Sequence, residues 1–523
     1  MILRGIFSVM TGLLAVSGYS QTVPVDSPAS TFTFRIPYDP GSLDWHRAYS
    51  SQQLAIIRNI MEGLVRLEKD FSISPAIASK WSMSPDGRKY TFTIRPGARW
   101  TDGVPVKAKD FVFSWKKLLA PATAISNANY LFDVLNAENY YKGKLKNFDS
   151  VGVKALDDST LEVRLERPVA HWLFMLTVWA TFPLREDVVK KYSDSWDSPG
   201  RIVSAGPFMI TERDADTRIV MRPNPYYYGT RGNIKKAVAL VVLDDRDAQK
   251  KYDEGGLDLL SNIALFDLKK YEKSGELKKI PYWKTCFFGF TAKKYPVSNE
   301  TLRRAIAMSI DKKKILELLH GGQRPADWLI PTDMFSPLGL KPSSAIPYDP
   351  VRAKRELVAS GINPSRITLE YLSSNRDRFV KIANFIKEEL KKHLGIEVVI
   401  QALEFRAFAI QREMGAFHMF NGCWGSDYPD PDQFLMLFLG SSGNFRSAWN
   451  NPAYDEKLMR VRGIKDKKER YMAYLEMQKM LVHDNVIVVP MFFEANTTLI
   501  KPRVSGYVAN ALDQIFLKEV NVR

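Results

Sequence analysis

The sequence predicts an α/β protein of several domains, and three observations carry that expectation. With 523 residues, the chain exceeds what one hydrophobic core organises, so about three domains are expected. Its 45% hydrophobic and 25% charged content is that of a folded globular chain, not a disordered one. Helical and strand periods also alternate along it. A long amphipathic run from 376 to 394 feeds directly into an apolar stretch from 396 to 403, the helix-then-buried-strand order of α/β layers.

Residues 1 to 20 hold a single charge, Arg4, then an apolar run from Ile6 to Val16 and the small residues Gly18 and Ser20 ahead of Gln21. The run is well short of the roughly 20 residues a bilayer needs, so it reads as a cleaved secretory leader and the mature chain as an exported one. No cysteine near the cut could carry a lipid, and no later stretch is long and apolar enough to span. A protein free in its compartment is expected. Loss of Arg4 takes the formal charge from +16 to +15. The Lys and Arg residues are scattered in pairs and triples, which reads as a solvated basic surface and not as a nucleic-acid face. Cys286 and Cys423 are the two cysteines. In an oxidising compartment they could be bridged or remain two buried thiols, and they build neither a metal set nor a nucleophile.

Taken in order, Thr31 to Pro37 reads as a strand, and Ser51 to Val65 as a helix because Leu54, Ile57, Met61, Leu64 and Val65 recur at helical spacing. The turn Ser84-Pro85-Asp86-Gly87 precedes a half-buried strand in which Tyr90, Phe92 and Ile94 alternate with polar residues. A helix from 108 to 119 presents Phe111, Trp115 and Leu118 on one side. Residues 153–156 and 160–165 flank Asp157-Asp158 as a hairpin. Asn299 caps a helix over 302–308, and Asp311 caps a second over 312–320 that Gly321 stops. The run from 376 to 394 places Phe379, Ile382, Ile386, Leu390 and Leu394 on one face, with Gly395 as its stop.

One loop stands apart. Phe420 to Phe434 packs a Trp, a Cys and three carboxylates among glycines and prolines, residues that let backbone approach a ligand and set sharp turns. Asp430 and Asp432 sit beside prolines and read as solvated or capping. Their spacing is not that of a calcium loop. The six histidines form no His-Glu-x-x-His pair, and there is no Gly-x-Ser-x-Gly and no phosphate loop. A binding protein is expected, without a cofactor and not an enzyme; a peptidase is the weaker alternative.

The unbroken stretch Ala78 to Trp115, with its order of Trp81, Trp100-Thr-Asp-Gly103 and Asp110-Phe-Val112, closely resembles the extracellular solute-binding proteins of peptide ABC importers. Val153 to Asp158, Ser204 to Phe208, Met221 to Tyr226 and the run from Leu302 to Asp311 match further landmarks of that family. The resemblance implies a type II periplasmic binding protein: two lobes joined by a hinge, with an extra inserted domain. Residues 21–61, 186–285 and 496–523 would form one lobe, 62–185 the insertion and 286–495 the other lobe. It implies a periplasmic monomer that hands an oligopeptide to an inner-membrane ABC permease. A murein peptide, haem or a nickel chelate would be alternative cargo for the same fold.

The resemblance also implies a site. Trp424-Gly-Ser-Asp427 matches a family pattern in which the Asp takes the amino-terminal ammonium of the peptide. Cys423, Gly425 and Ser51 fall where relatives bond the ligand's main chain, and Trp424, Phe405 and Tyr130 would be apolar walls. Tyr49, Asn127 and Asn421 stand where the enterobacterial oligopeptide pattern has an acid, a Tyr and an Arg. They are ligand-facing candidates that put peptide length and side-chain preference in question. Cys286 and Cys423 are each displaced by about two residues from the family's bridged cysteines.

Overall fold

The computed structural model describes residues 30–261, 268–319, 322–342, 345–442 and 447–523, so the expected leader and the helix stop at His320 and Gly321 lie outside the described residues. The local signals act as their chemistry requires. Asn299 accepts the Leu302 N–H to start Glu300–Met308, and Gly395, at φ +68°, ends Asp377–Leu394. The helix Ala108–Leu119 begins where Asp110 accepts both the Lys107 N–H at 2.9 Å and the Trp100 indole N–H at 3.2 Å. That buried carboxylate ties the Trp-Thr-Asp-Gly turn to the Asp-Phe-Val helix, a physical reason for the two to occur together.

The first helix is shorter than its spacing suggests. It runs over Ser51–Ile60, and Met61 is already extended. The Gly206 N–H donates to the Ile60 carbonyl at 2.8 Å, and a Cβ on Gly206 would lie 2.4 Å from the Ile60 carbonyl carbon, so only glycine can sit there. Asn224 then donates to the Gly206 carbonyl at 2.9 Å. The Ser-Ala-Gly-Pro-Phe and Met-Arg-Pro-Asn-Pro segments thus meet on the helix end, and Met61 and Leu64 are buried in an extended path.

One eleven-stranded sheet runs through the molecule. At one end lie Glu397–Leu403, Thr368–Ser374 and Met419–Gly425; at the other lie Thr31–Ile36, Lys236–Val241, Arg218–Pro223 and Phe208–Asp214. Between them run two long antiparallel strands, Leu277–Phe290 and Val488–Ile500, paired from Leu277↔Leu499 to Gly289↔Val488. Their ladder breaks between Pro281 and Thr285, and different cores pack on either side of the break. Leu499 joins a core with Leu257 and Leu260, whereas Cys286, Phe288 and Phe492 belong to one with Ile382 and Ile386. Thr368–Ser374, the helix Asp377–Leu394 and Glu397–Leu403 form a parallel strand-helix-strand unit, in register from Thr368↔Glu397 to Ser374↔Leu403. A separate four-stranded antiparallel sheet of Ala78–Met83, Lys89–Ile94, Thr160–Arg164 and Val153–Ala155 packs with the helix 108–119 onto the core that also holds Phe32 and Ile57. Among the described residues no helix is long and apolar enough to cross a membrane.

Candidate functional site

The strand Met419–Gly425 carries the distinctive loop to the middle of the sheet. It pairs antiparallel with Leu277–Phe290 over its whole length, which sets Cys286 opposite Cys423, and the two form a disulfide with Cα atoms 4.0 Å apart. Glu494 lies 3.6 Å from the Cys286 sulfur; with both sulfurs bridged, this trio offers no thiolate to a metal. On its other side the strand meets Thr368–Ser374 only at Met419 and Phe420. The Asn421 carboxamide closes that contact by accepting the Ser374 N–H at 3.0 Å. Beyond it, among the described residues, no strand pairs with Cys423 or Gly425 on that edge.

Past Gly425 the chain turns on itself. The Ser426 N–H donates to Trp283 O at 2.8 Å and its hydroxyl to Tyr428 O at 2.5 Å. This presents the half-buried Asp427 carboxylate to Tyr130, whose hydroxyl donates to Oδ2 at 2.6 Å. Tyr130 comes from the short helix Ser126–Leu131 and meets Trp179 edge-on, and the Arg58 guanidinium lies 5.1 Å from the Trp179 ring centre. Burial raises the Asp427 carboxyl above its ordinary value, opposed by the Tyr130 hydrogen bond and the Arg58 charge. Burial and Asp427 together push the Tyr130 phenol well up, so it stays a donor.

Asp430 and Asp432 correct the expectation that they are solvated: both are buried. Asp432 lies 3.1 Å from Arg462 Nε and 3.0 Å from His171 Nε2, and accepts the Tyr428 hydroxyl at 3.1 Å. Arg462 in turn donates to both oxygens of Asp133 at 2.9 Å. Asp430 accepts the Asp432 N–H at 3.0 Å, a cap-like bond, and pairs with Arg470 at 3.4 Å. Burial alone would raise the Asp432 carboxyl, but Arg462, His171 and Tyr428 hold it well below the carboxylate range. The network joins the segment 133–171 to the segment 430–470.

The remaining candidates divide. Asn127 donates to the carbonyls of His46 and Ala48 at 3.0 and 2.8 Å, and Asn421 is buried against the end of strand 368–374. Each spends one polar group on the backbone, Asn127 its amide nitrogen and Asn421 its oxygen. Tyr49 is 75% exposed, and Ser51 lies exposed in the first turn of its helix. Tyr38, whose phenol is raised by burial, feels both Tyr49 and Arg376, so residues from the two ends of the sheet face each other there. Trp424 is half-buried against a core that contains Phe420 and Phe434. The Phe405 side chain lies outside the described residues. Sequence reasoning missed Arg58, the one charge in Ser-Gln-Gln-Leu-Ala-Ile-Ile-Arg-Asn-Ile, and Lys284, the one charge in Tyr-Trp-Lys-Thr-Cys-Phe-Phe. For Arg58 the available signal was a lone charge inside an otherwise uncharged helix; Lys284 shares its strand with Lys278 and Lys279 and had no such signal.

Residues 72–446 match the profile of bacterial extracellular solute-binding proteins, family 5 Middle. The chain is 29% identical to the probable deoxycholate-binding periplasmic protein YgiS of Escherichia coli, over 99% of both chains. It is 30% identical to the periplasmic murein peptide-binding protein MppA of E. coli, over 96% of each. It is also 30% identical to the periplasmic oligopeptide-binding protein OppA of Salmonella typhimurium, over 92% of this chain and 90% of that one. In structure it matches E. coli MppA at a TM-score of 0.85 with 29% identity, covering 95% of this chain and 99% of that one. Against the unliganded open form of MppA, also at 29% identity, the score is 0.71, covering 95% and 98%. The arrangement here is nearer the first than the open form.

Proposed function

Since the chain belongs to the bacterial extracellular solute-binding proteins of family 5, we propose that it captures oligopeptides between its two lobes, outside the cytoplasm, and delivers them to an ABC permease. The observation that carries this reading is the pairing of a half-buried carboxylate, Asp427, with a strand edge at Cys423 and Gly425 that no other strand among the described residues covers. An extended peptide needs main-chain partners as its amides lose water, and a strand edge supplies them whatever the side chains are. Its terminal ammonium needs a fixed anion, and a carboxylate raised by burial gains when a cation arrives. Relatives named for oligopeptides and for a murein peptide support the same class of cargo. A bile acid, the ligand in the name of YgiS, carries no ammonium to meet Asp427.

The lobes in this reading are 21–61 with 186–285 and 496–523, and 286–495, with 62–185 as the insertion. The hinge falls in the long strands 277–290 and 488–500. The protein works as a periplasmic monomer without catalysis. Calorimetry on a four-way cycle tests the central assignment, using a peptide identified by native mass spectrometry of the purified protein. Truncating one partner of a buried charge pair costs about 2 to 5 kcal/mol, so Asp427→Ala weakens binding by roughly thirtyfold to several thousandfold. Acetylating the peptide amine does the same to the parent protein and adds little in Asp427→Ala. If acetylation weakens both proteins equally, the amine is held elsewhere. If native mass spectrometry finds haem, a metal chelate or a bile acid, the peptide reading is wrong.

A further inference from the structure

Lys284 is a cation that the reading above leaves unused. It lies where the ladder between the two long strands breaks: Pro281 pairs with Ala495 and Thr285 with Phe493, so Tyr282, Trp283 and Lys284 stand opposite the single residue Glu494. Such a bulge re-aims side chains out of the regular alternation. On its other side Lys284 pairs with Gly425. The nearest atoms to a Cβ on Gly425 would be the Tyr282 hydroxyl at 3.5 Å and the Lys284 side chain at 3.7 Å, so these two flank the glycine directly. The Lys284 ammonium lies 5.5 Å from the Tyr282 ring centre.

Lys284 makes no ion pair among the described residues. The carboxylate nearest in effect, Glu494, is occupied by Arg378 at 2.9 Å and by Gln323 at 3.3 Å. After Glu494, Arg378 bears on Lys284 as a like charge, Asp513 as an opposite one and Arg376 as a weaker like one. Burial, before any of these, pulls the ammonium below its ordinary value. Lys284 is half-buried, so its ammonium is less well solvated than a surface one, and an arriving carboxylate offsets that loss. Gly425 and Asp427 are two residues apart on one chain, at most about 7 Å between Cα atoms, so an amine held at Asp427 brings the next one or two residues of a ligand beside Lys284.

We propose that Lys284 binds a ligand carboxylate carried within one or two residues of the amino terminus held at Asp427, so that the protein selects acidic peptides. This rests on the peptide reading of the site. The carboxylate has two sources, an acidic side chain or the carboxyl terminus of a very short peptide.

The test is affinity selection from a mixed library of dipeptides to pentapeptides, made once as free acids and once as terminal amides, with the retained peptides read by mass spectrometry. Parent protein is expected to enrich Asp and Glu over Asn and Gln at the first two positions, or free acids over amides among dipeptides, by about thirtyfold or more. The first pattern identifies a side chain as the source and the second a terminus. Lys284→Met abolishes the preference while still retaining neutral peptides, which shows that it is folded, and Lys284→Arg keeps it. If Lys284→Met retains nothing at all, the preference of Lys284→Arg decides. Peptides retained without acidic preference, or with the same preference in Lys284→Met, overturn the Lys284 assignment and leave the peptide reading standing. A parent protein that retains no peptide overturns both.

Discussion

Asp427 and Asp432 stand in one loop and meet opposite surroundings. Asp432 is wholly buried and charge-paired, with an arginine beside one oxygen and a histidine and a tyrosine on the other. Asp427 is half-buried, takes one phenol hydrogen bond, and has the Arg58 charge nearby without a hydrogen bond to it. Their carboxyl groups shift accordingly, Asp432 down and Asp427 up. A carboxylate whose partners are all within the protein holds structure together; under the proposed function, the one left short of positive partners meets the ligand's ammonium. Chemical type and sequence neighbourhood are the same for both, so the number of internal cations decides the role.

The comparison breaks most sharply at Asp432. Replacing it by Ala leaves Arg462 and His171 buried without their shared anion, which costs about 3 to 5 kcal/mol of folding stability. Urea unfolding of Asp432→Ala against the parent measures this. A change within 0.5 kcal/mol, roughly the scatter of surface substitutions, would show that the network does not hold the two segments. Asp427→Ala, by contrast, belongs to the ligand: its large effect is on affinity, with little on unfolding.

Titration separates the two carboxylates by sign. The Asp432 carboxyl is depressed in the fold, so its contribution is full above the unfolded carboxylate value of about 4 and is lost as pH falls below that. The stability gap between parent and Asp432→Asn therefore narrows toward acid. The Asp427 carboxyl is raised in the free protein, so its ionised form is disfavoured by folding and is relieved by protonation as pH falls through that raised value. Since an ammonium requires the ionised form, affinity for an amino-terminal peptide falls through the same window, above the point where Asp432 begins to titrate. Calorimetry in buffers of different ionisation enthalpy detects proton release on binding there. Binding that is flat with pH down to 4 contradicts the assignment.

The smallest effect is that of Tyr130→Phe. The phenol bonds Asp427 without any need for a ligand, so its loss changes affinity at neutral pH by less than about tenfold, the net worth of a hydrogen bond that is made both before and after binding. It removes a contact that lowers the carboxyl, so the acid midpoint of binding moves upward. A midpoint that stays in place would mean that the phenol does not act on Asp427.

Much of the fold was legible because its causes are local. The helix 108–119, the strand of Tyr90, Phe92 and Ile94, the Asn299 cap and the Gly395 stop depend on residues within a turn of each other. The end of the first helix was not. Met61, Leu64 and Val65 carry apolar side chains at a spacing that suits a helix, yet they are buried in an extended path because Gly206 takes the Ile60 carbonyl. The site divides in the same way. The loop that carries Asp427 could be singled out from its composition and pattern. The burial of Asp430 and Asp432 could not, because their partners Arg470, Arg462 and His171 come from distant segments.

The sequence by itself determined the α/β class, the family likeness, the loop that bears the site and the two cysteines available to bridge. Each rests on residue type and short-range spacing, which exist before the chain folds. The tertiary structure decided that Asp432 is paired inside the protein with Arg462 and His171, while Asp427 takes a single phenol hydrogen bond. It decided that Asn127 and Asn421 brace the backbone, and that Cys286 lies opposite Cys423 while Lys284 lies opposite Gly425. Burial and strand register set these outcomes, and both come into being only when segments far apart in sequence pack together.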